Sequence, residues 1–353
     1  VYNPVDLDPA RPAHPVYVGA FDAPGSLLHR ALEAAAPLGL RIGRDPDGRA
    51  GEPGVPPELS AHAAGIAAPS RLARLYRESA VCLAAPFTAP AGSGVPLRAL
   101  EQLGCGAWVV SGPNEALARS AGDHVRFVRE GDDVAGVLEE VTAQGPRSRM
   151  EARAAIRAFF DDRTTRAELG GLARSLRLDS DPTEARAVSV LVRLDVGTPV
   201  DTLVASVLGQ THRPREVVVG VPPGAAAEVS RALAELEGVG LAVAAVERPP
   251  QPDPLIATAT SPWITLWSPA RTYGPAFLKD LLIGAECSRA PVVGYTGKAD
   301  QEFVGELSPD AALVDRALAV DRELTTDPAG TSTGLGAWAR AGVPLYGLAE
   351  ADR

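Results

Sequence analysis

Short apolar runs alternate with amphipathic stretches along the first half of the chain. Val16 to Gly19, Val81 to Ala84 and Ala107 to Val110 are apolar segments of strand length, which predicts buried strands. Asp132 and Asp133 can cap a helix whose apolar residues recur at helical spacing. Those residues are Val134, Val137, Leu138 and Val141. Strands and helices in alternation predict an α/β layer fold with a parallel sheet.

The second half repeats this alternation after a polar segment, Asp179 to Ala185, that contains a proline and is typical of a linker. Val188 to Val192, Glu216 to Val221 and Leu241 to Val246 are predicted strands with helices between them. The sequence therefore predicts two Rossmann-like parallel-sheet domains. The predicted parts are a connector over 1–15, a first domain over 16–178, a linker over 179–186 and a second domain over 187–353.

Composition narrows the partners. The 353 residues carry a formal net charge of -10, with 44 acidic and 34 basic side chains, which disfavours attraction to nucleic acid or to anionic membrane. No apolar run is long enough to span a membrane, and the first residues lack the basic and apolar regions of a signal peptide. We therefore expect a cytoplasmic protein with no transmembrane segment.

The cysteines and histidines favour no metal site. Cys82, Cys105 and Cys287 are far apart and show no metal-ligand spacing, so reduced, buried thiols are expected. The five histidines are scattered without a paired arrangement, which favours surface or core histidines over ligands. No divalent metal or other cofactor is predicted.

One loop has residues suited to binding phosphate. Gly92, Ser93 and Gly94 precede a predicted helix that carries Arg98 and Glu101. Helix N-termini offer unpaired N–H donors, glycines permit close approach, and a carboxylate can hold ribose hydroxyls. The alternative is a surface turn before an ordinary helix, and the residue types alone favour it because lone Gly-x-Gly loops are common.

The segment Val95 to Val110 resembles the donor-binding half of GT-B glycosyltransferases, most nearly the spore-maturation CgeB-like group. Arg98, Glu101 and the pair Cys105-Gly106 match that group's pattern. The resemblance extends over Val16 to Leu178 and implies that Glu101 contacts the ribose of a nucleotide-diphosphate sugar. The related family-4 enzymes often have a second Glu eight positions earlier, where this chain has Ser93. The acceptor-side half of a GT-B enzyme is not recognisable, so a missing acceptor domain or a protein partner is expected.

From Ala187 onward the chain resembles family-2 glycosyltransferases of the GT-A fold. The first predicted strand, the helix that ends in Gln210-Thr211, the second strand and the block Tyr273-Gly274-Pro275 match that family in order. Such enzymes hold a divalent cation with an Asp-x-Asp motif, since the departing diphosphate needs neutralising. Here Ser268-Pro269-Ala270-Arg271 stands in its place, and no carboxylate is present.

The remaining candidates of the second domain are few. Asp195 follows its first strand and is a weak candidate for contacting the donor, with a solvated turn residue as the alternative. Arg271 either replaces the cation electrostatically or is a salt-bridged surface residue. Asp321, Glu323 and Asp327 lie where the catalytic base is expected, but their pattern is typical of a solvated acidic face. The catalytic residues are therefore unassigned.

Three hypotheses follow. The first is a glycosyltransferase-family protein that binds a nucleotide-diphosphate sugar without metal, at Gly92, Ser93, Gly94, Arg98 and Glu101, and transfers a glycosyl group to an envelope, spore or metabolite glycan. The second is a noncatalytic pseudoglycosyltransferase that serves as a scaffold or interaction module for an active partner. The third is a decayed gene fragment.

Overall fold

The computed structural model of the chain describes a defined set of residues. They are 3, 5, 7–8, 10–44, 55–66, 69–84, 94–161, 163–178, 184–195, 197–225, 227, 229, 233–247, 254–297, 302–324 and 335–349. The chain divides into two compact units, Val1–Asp161 and Asp162–Arg353. The boundary between the units lies before the predicted linker at 179–186. Residues just after the boundary belong to the second unit, because Arg166 contacts Glu286 and Thr164 contacts Arg186 there.

Strands and helices alternate along the first unit. Its strands are β1 (Pro15–Val18), β2 (Arg41–Arg44), β3 (Ala63–Ile66), β4 (Val81–Ala84), β5 (Trp108–Ser111) and β6 (Val125–Phe127). Its helices are α1 (Leu27–Ala35), α2 (Pro69–Arg77), α3 (Leu97–Gly104), α4 (Glu115–Ala121), α5 (Val134–Ala143) and α6 (Arg149–Phe159). The predicted strand over Val81 to Ala84 is confirmed at both ends.

The described strands of the first unit form one parallel sheet in the order β3-β2-β1-β4-β5-β6. The order reverses between β1 and β4, which is the doubly wound arrangement of a Rossmann-like fold. One core cluster packs α1 and α5 against the sheet around Tyr17 and Leu83, and a second packs α2 around Tyr76. The predicted α/β fold is therefore confirmed for this unit.

The second unit is also α/β. Its strands are β7 (Val188–Arg193), β8 (Glu216–Val221), β9 (Ala242–Glu247), β10 (Trp263–Trp267), β11 (Val292–Thr296), β12 (Glu302–Val304), β13 (Ala312–Asp315) and β14 (Leu345–Ala349). Its described helices are α7 (Thr165–Ser175), α8 (Asp201–Leu208), α9 (Ala234–Gly238), α10 (Pro254–Thr258), α11 (Phe277–Ser288), α12 (Arg316–Asp321) and α13 (Leu335–Arg340).

The sheet of the second unit is mixed. Its described strands lie in the order β12-β14-β11-β13-β10-β7-β8-β9. Strand β13 runs antiparallel to both β10 and β11, and β12 runs antiparallel to β14. The parallel part, β10-β7-β8-β9, retains the Rossmann-like beginning expected from the sequence. The expectation of a wholly parallel sheet is corrected by the two antiparallel strands.

Candidate functional site

The carboxyl edge of the first sheet is where a doubly wound fold binds ligands, in the crevice beside the reversal of strand order. Helices α1, α4 and α5 have caps from their own segments at their N-termini. Ser26 accepts from the N–H of His29, Asn114 from that of Leu117 over 2.7 Å, and Asp133 from that of Gly136. These side chains satisfy N–H groups that an anion would otherwise bind.

Helix α3 differs from these helices because its cap residue is Pro96, which has no side-chain acceptor. The N–H of Ala99 donates to the carbonyl of Pro96 over 3.0 Å, and the start of the helix has the partial positive charge of a helix N-terminus. The sequence predicts this helix start from Pro96 and the glycines before it, and the structure begins the helix one residue later, at Leu97. A helix N-terminus at this edge is chemically suited to bind a phosphate group.

Arg98 and Glu101 lie one turn apart on α3 and form an ion pair, with Arg98 Nη1 donating to Glu101 Oε2 over 2.9 Å. The Arg98 side chain is 26% exposed and that of Glu101 is 10% exposed. A partly buried pair of this kind holds the carboxylate in one orientation. The structure thus brings two of the candidate donor-site residues together.

The loop before α3 is described only from Gly94. The candidates Gly92 and Ser93 lie outside the described residues. A side chain at Gly94 would meet no described atom within 4 Å, so its position is open. The carbonyl oxygen of Gly94 accepts a hydrogen bond of 3.3 Å from Asn114 Nδ2. This bond ties the end of the loop to the start of α4.

Asn114 is the residue that our sequence analysis did not identify as part of this edge. Its side chain caps α4 through one atom and contacts Gly94 through the other, and the residue is 7% exposed. An Asn just before a helix that begins with Glu is a recognisable capping signal. Its contact with Gly94, however, joins segments that the sequence pattern does not place side by side.

Buried thiols lie behind α3. Burial raises the pKa of Cys105 to about 12, and it also raises the pKa of Cys82 far above its usual range. Cys287 of the second unit has a pKa of about 12 for the same reason. None of the three cysteines is part of a disulfide. Cys82 and Cys105 are buried as predicted, Cys287 is half-buried, and none of them has the lowered pKa of a nucleophile.

In the second unit the candidate Asp195 lies just after β7 and is exposed. Its backbone N–H donates to Thr198 Oγ1 over 3.1 Å. This turn lies at the carboxyl edge of the second sheet, where the resemblance puts nucleoside contacts. The role of Asp195 in donor binding is still a prediction.

The segment that replaces the metal motif is held by contacts with neighbouring residues. Tyr273 stacks on Trp267 with ring centroids 4.1 Å apart, accepts the N–H of Ser268 and donates to the carbonyl of Asp310. Burial raises the pKa of Tyr273 to about 12, so its hydroxyl stays protonated and can donate. Arg271 pairs with the carboxylate of Asp310 at 3.4 Å. The interpretation of Arg271 as a salt-bridged arginine is confirmed.

Two sequence blocks that carry the family-2 resemblance contact each other. Gln210 Nε2 donates to the carbonyls of Tyr273 and Gly274, and Gln210 Oε1 accepts the N–H of Leu278. The N–H and the hydroxyl of Thr211 both donate to the carbonyl of Pro275. The Gln-Thr pair therefore fixes the turn between β10 and α11, which is a structural role.

Acidic residues near the C-terminus form no described site. Asp321 is exposed and lies 3.6 Å from Arg322, and Glu323 is exposed. Asp327 lies outside the described residues. Within the described part of the chain no three histidine, cysteine or acidic residues are grouped so that they could hold a metal ion. No helix in that part is long and apolar enough to cross a membrane.

Comparison with protein families finds a match that covers this part of the chain. A family model described as "Glycosyl transferase-like" matches residues 27–170, which include α3 and the strands on either side of it. This part of the chain is therefore similar to glycosyltransferases, and the resemblance predicted from Arg98, Glu101 and Cys105-Gly106 is confirmed at this level, while the GT-B and CgeB-like assignment is still a prediction. A search of curated proteins found no match.

Solved structures give weaker likenesses. Residues 1–349 of S. aureus TarS in complex with UDP-GlcNAc are 15% identical, with a TM-score of 0.36 over 47% of this chain and 56% of that chain. A longer S. aureus TarS structure is 12% identical, with 35% of it covered. A 4-diphosphocytidyl-2C-methyl-D-erythritol synthase from Anaerococcus prevotii is 9% identical, with a TM-score of 0.34. The chain thus spans less than two thirds of the length of the TarS structures.

Proposed function

We propose that this chain binds a nucleotide-diphosphate sugar through its first unit and acts in glycosyl transfer to an envelope, spore or metabolite glycan. The observation that carries the proposal is the N-terminus of α3. Its cap residue Pro96 makes no side-chain hydrogen bond, it lies at the carboxyl edge of a doubly wound sheet, and the Arg98–Glu101 pair follows within one turn. Helix α3 and the ion pair lie within the residues that match the glycosyltransferase-like model.

Each part of the proposed site has a distinct task. The N-terminus of α3 binds the diphosphate, where the partial positive charge of the helix favours an anion. Gly92, Ser93 and Gly94 let the backbone approach the phosphates closely. Glu101 accepts hydrogen bonds from the ribose hydroxyls, and Arg98 keeps its carboxylate oriented. Asn114 is a positioning residue, because it holds the carbonyl of Gly94 beside α4.

The proposed binding needs no divalent cation. In the second unit, the segment Ser268 to Arg271 offers no carboxylate oxygen, and Arg271 is held by Asp310. A hard cation such as Mg²⁺ or Mn²⁺ prefers carboxylate and water oxygens. In this proposal the N-terminus of α3, and not a metal ion, compensates the negative charge of the diphosphate. Asp195 of the second unit is kept as a separate, weak candidate for donor binding.

Calorimetric titration with UDP, GDP and their sugars, with and without manganese, tests the proposal. UDP and UDP-GlcNAc, the ligands named for TarS structures, come first in the series. We expect Glu101→Gln to weaken binding about tenfold or more, since the neutral amide loses a charge-assisted hydrogen bond worth roughly 1.5–3 kcal/mol. Manganese is expected to leave the affinity unchanged.

Glu115→Gln is the matched control. Glu115 is paired with Arg119 on the exposed face of α4, so it shares residue type and ion pairing with Glu101 but not the site.

Asn114→Ser retains a capping oxygen for α4 and loses the amide that holds Gly94, and we expect weaker nucleotide binding with little change in unfolding temperature. Asp195→Asn measures the second unit's contribution. Equal affinities of wild type and Glu101→Gln, or no nucleotide binding at all, would refute the donor site.

A second candidate function is noncatalytic, and one observation favours it. Tyr273, Arg271 and Asp310 close the segment that stands where the metal motif of family-2 enzymes lies. On this alternative the second unit is a scaffold or interaction module for an active partner. Nucleotide binding without hydrolysis or transfer of the bound sugar, across a panel of glycan acceptors, would favour it over the transferase.

A further inference from the structure

A cavity of about 530 Å³ opens in the second unit, away from the carboxyl edge of its sheet. Trp263 is the first residue of β10 and pairs with Val188, the first residue of β7, so the cavity lies at the amino edge of these strands. Asp195 and Ser268 follow the opposite ends of β7 and β10. A ligand here would therefore not occupy the nucleotide edge. The volume lies in the range of small-molecule sites, about 300–1,000 Å³.

The acidic groups of the cavity are already engaged. Glu286 accepts from Arg186 at 2.8 and 3.0 Å, and Arg166 lies 3.4 Å from the same carboxylate. Asp315 caps α12 by accepting the N–H of Leu318 over 2.9 Å. Both carboxylates therefore have partners within the protein, and the charge of Glu286 is compensated by two arginines.

Arg289 is the charged group that is left over. In the described part of the chain its guanidinium has no hydrogen bond or ion pair, while its backbone N–H closes α11 on the carbonyl of Ala285. Its φ of +58° is in the left-handed region, where glycine is the usual residue at a helix end. A side chain kept at a costly backbone position, with its five donors unused, points to a function.

The rest of the wall is apolar and aromatic. The indole N–H of Trp263 donates to the carbonyl of Ala185 over 3.1 Å, which fixes the ring. Leu282 and Ala285 of α11 and Pro262 line the same space. A fixed indole face beside a free guanidinium suits a ligand with a flat apolar body and an anionic group, because stacking and charge pairing act at once.

We propose that the cavity between Trp263 and Arg289 binds a small organic anion, a carboxylate or phosphate joined to a flat apolar body, as a second ligand site of this protein. Arg289 binds the anionic group and Trp263 packs against the body. This site is independent of the nucleotide site proposed above, and the substitutions that test one leave the other intact.

Titration calorimetry of the full chain with phenyl phosphate, benzoate and inorganic phosphate tests this site. We expect one-to-one binding of phenyl phosphate or benzoate, and which of the two binds more tightly identifies the acid. Inorganic phosphate lacks the flat body and is expected to bind at least tenfold more weakly. Arg289→Gln is expected to weaken binding tenfold or more, and Trp263→Leu to remove the preference for phenyl phosphate over inorganic phosphate.

Arg322→Gln is the matched control, since Arg322 is a surface arginine of the same unit at the end of α12. If Arg289→Gln does not fold, Arg289→Lys takes its place, because lysine retains the positive charge. We expect Arg289→Lys to bind more weakly than the wild type but more tightly than a variant without the charge. Unchanged affinity in both Arg289 variants, equal losses in Arg322→Gln, or no saturable binding of either aromatic acid would overturn the proposal.

Discussion

At the scale of single residues, Gly106 explains why the pair Cys105-Gly106 stands between α3 and β5. Its φ is +77°, and a Cβ there would lie 2.9 Å from Leu7 Cδ2 and 3.1 Å from the Cβ of Ala152. The carbonyl of Gly106 also accepts from Arg11 over 2.6 Å. Backbone conformation and packing both require glycine at this turn.

We predict that Gly106→Ala lowers the free energy of unfolding by about 2–4 kcal/mol, since left-handed strain and overpacking add. Gly131→Ala is the matched control, because Gly131 has a φ of +90° but no described atom within 4 Å of its added Cβ. That variant is expected to lose only the strain, about 1 kcal/mol. Urea unfolding measures both, and equal losses would contradict a packing role for Gly106.

Some site residues are predictable from sequence and others are not, for a physical reason. Arg98 and Glu101 are three positions apart on one helix, so helical spacing alone brings them together, and they form the pair. Asn114 and Gly94 are 20 positions apart and meet only because β5 lies beside β4 in the sheet. Local periodicity does not specify which strands are neighbours.

At the scale of elements, the sequence pattern predicts the parallel strands better than the antiparallel ones. Strands β4 and β8 follow apolar runs, and their predicted ends are confirmed. Strand β13 is a four-residue insertion between β10 and β11. Its burial depends on neighbours that are distant in the chain, so a short apolar run gives no indication of direction. Similarly, the blocks that contain Gln210 and Tyr273 match the family-2 pattern, but that match does not indicate that the two residues are in contact.

Strand β8 begins at a buried carboxylate that fastens three segments. Glu216 accepts hydrogen bonds from Ser189 of β7 and from both the N–H and the hydroxyl of Thr260. Burial alone would raise the pKa of Glu216, but these hydrogen bonds outweigh it and hold the pKa below the usual 4.5. The ionised form is therefore the one that stabilises this end of the sheet.

We predict that Glu216→Gln destabilises the protein at neutral pH by about 1–3 kcal/mol, because an amide cannot accept as many hydrogen bonds. A depressed pKa contributes stability above the unfolded value and loses it as the pH falls through the folded value. The difference between wild type and variant should therefore be constant above about pH 5 and shrink below pH 4.5. Chemical unfolding across this range measures it, with the exposed Glu237→Gln as control. A difference that does not change with pH would contradict the assignment.

At the scale of the whole molecule, the two units have separate hydrophobic cores. Leu83 is fully buried in the first unit, and Ile264 is fully buried in the second. The glycosyltransferase-like match covers chiefly the first unit, and the cavity beside Arg289 belongs to the second. A nucleotide and an organic anion are therefore expected to stabilise different units, since a ligand stabilises the unit that binds it.

Calorimetric unfolding of the full chain makes this separation measurable. We predict two transitions, with Leu83→Ala lowering one and Ile264→Ala the other, each by about 2–5 kcal/mol of lost core packing. UDP at about 100 times its Kd should raise only the Leu83-sensitive transition, by about 2.7 kcal/mol. An increase confined to the Ile264-sensitive transition would move the nucleotide site to the second unit and make Asp195 its leading candidate. A single transition that both substitutions lower would contradict independent cores, and nucleotide binding would then have to be located by Glu101→Gln alone.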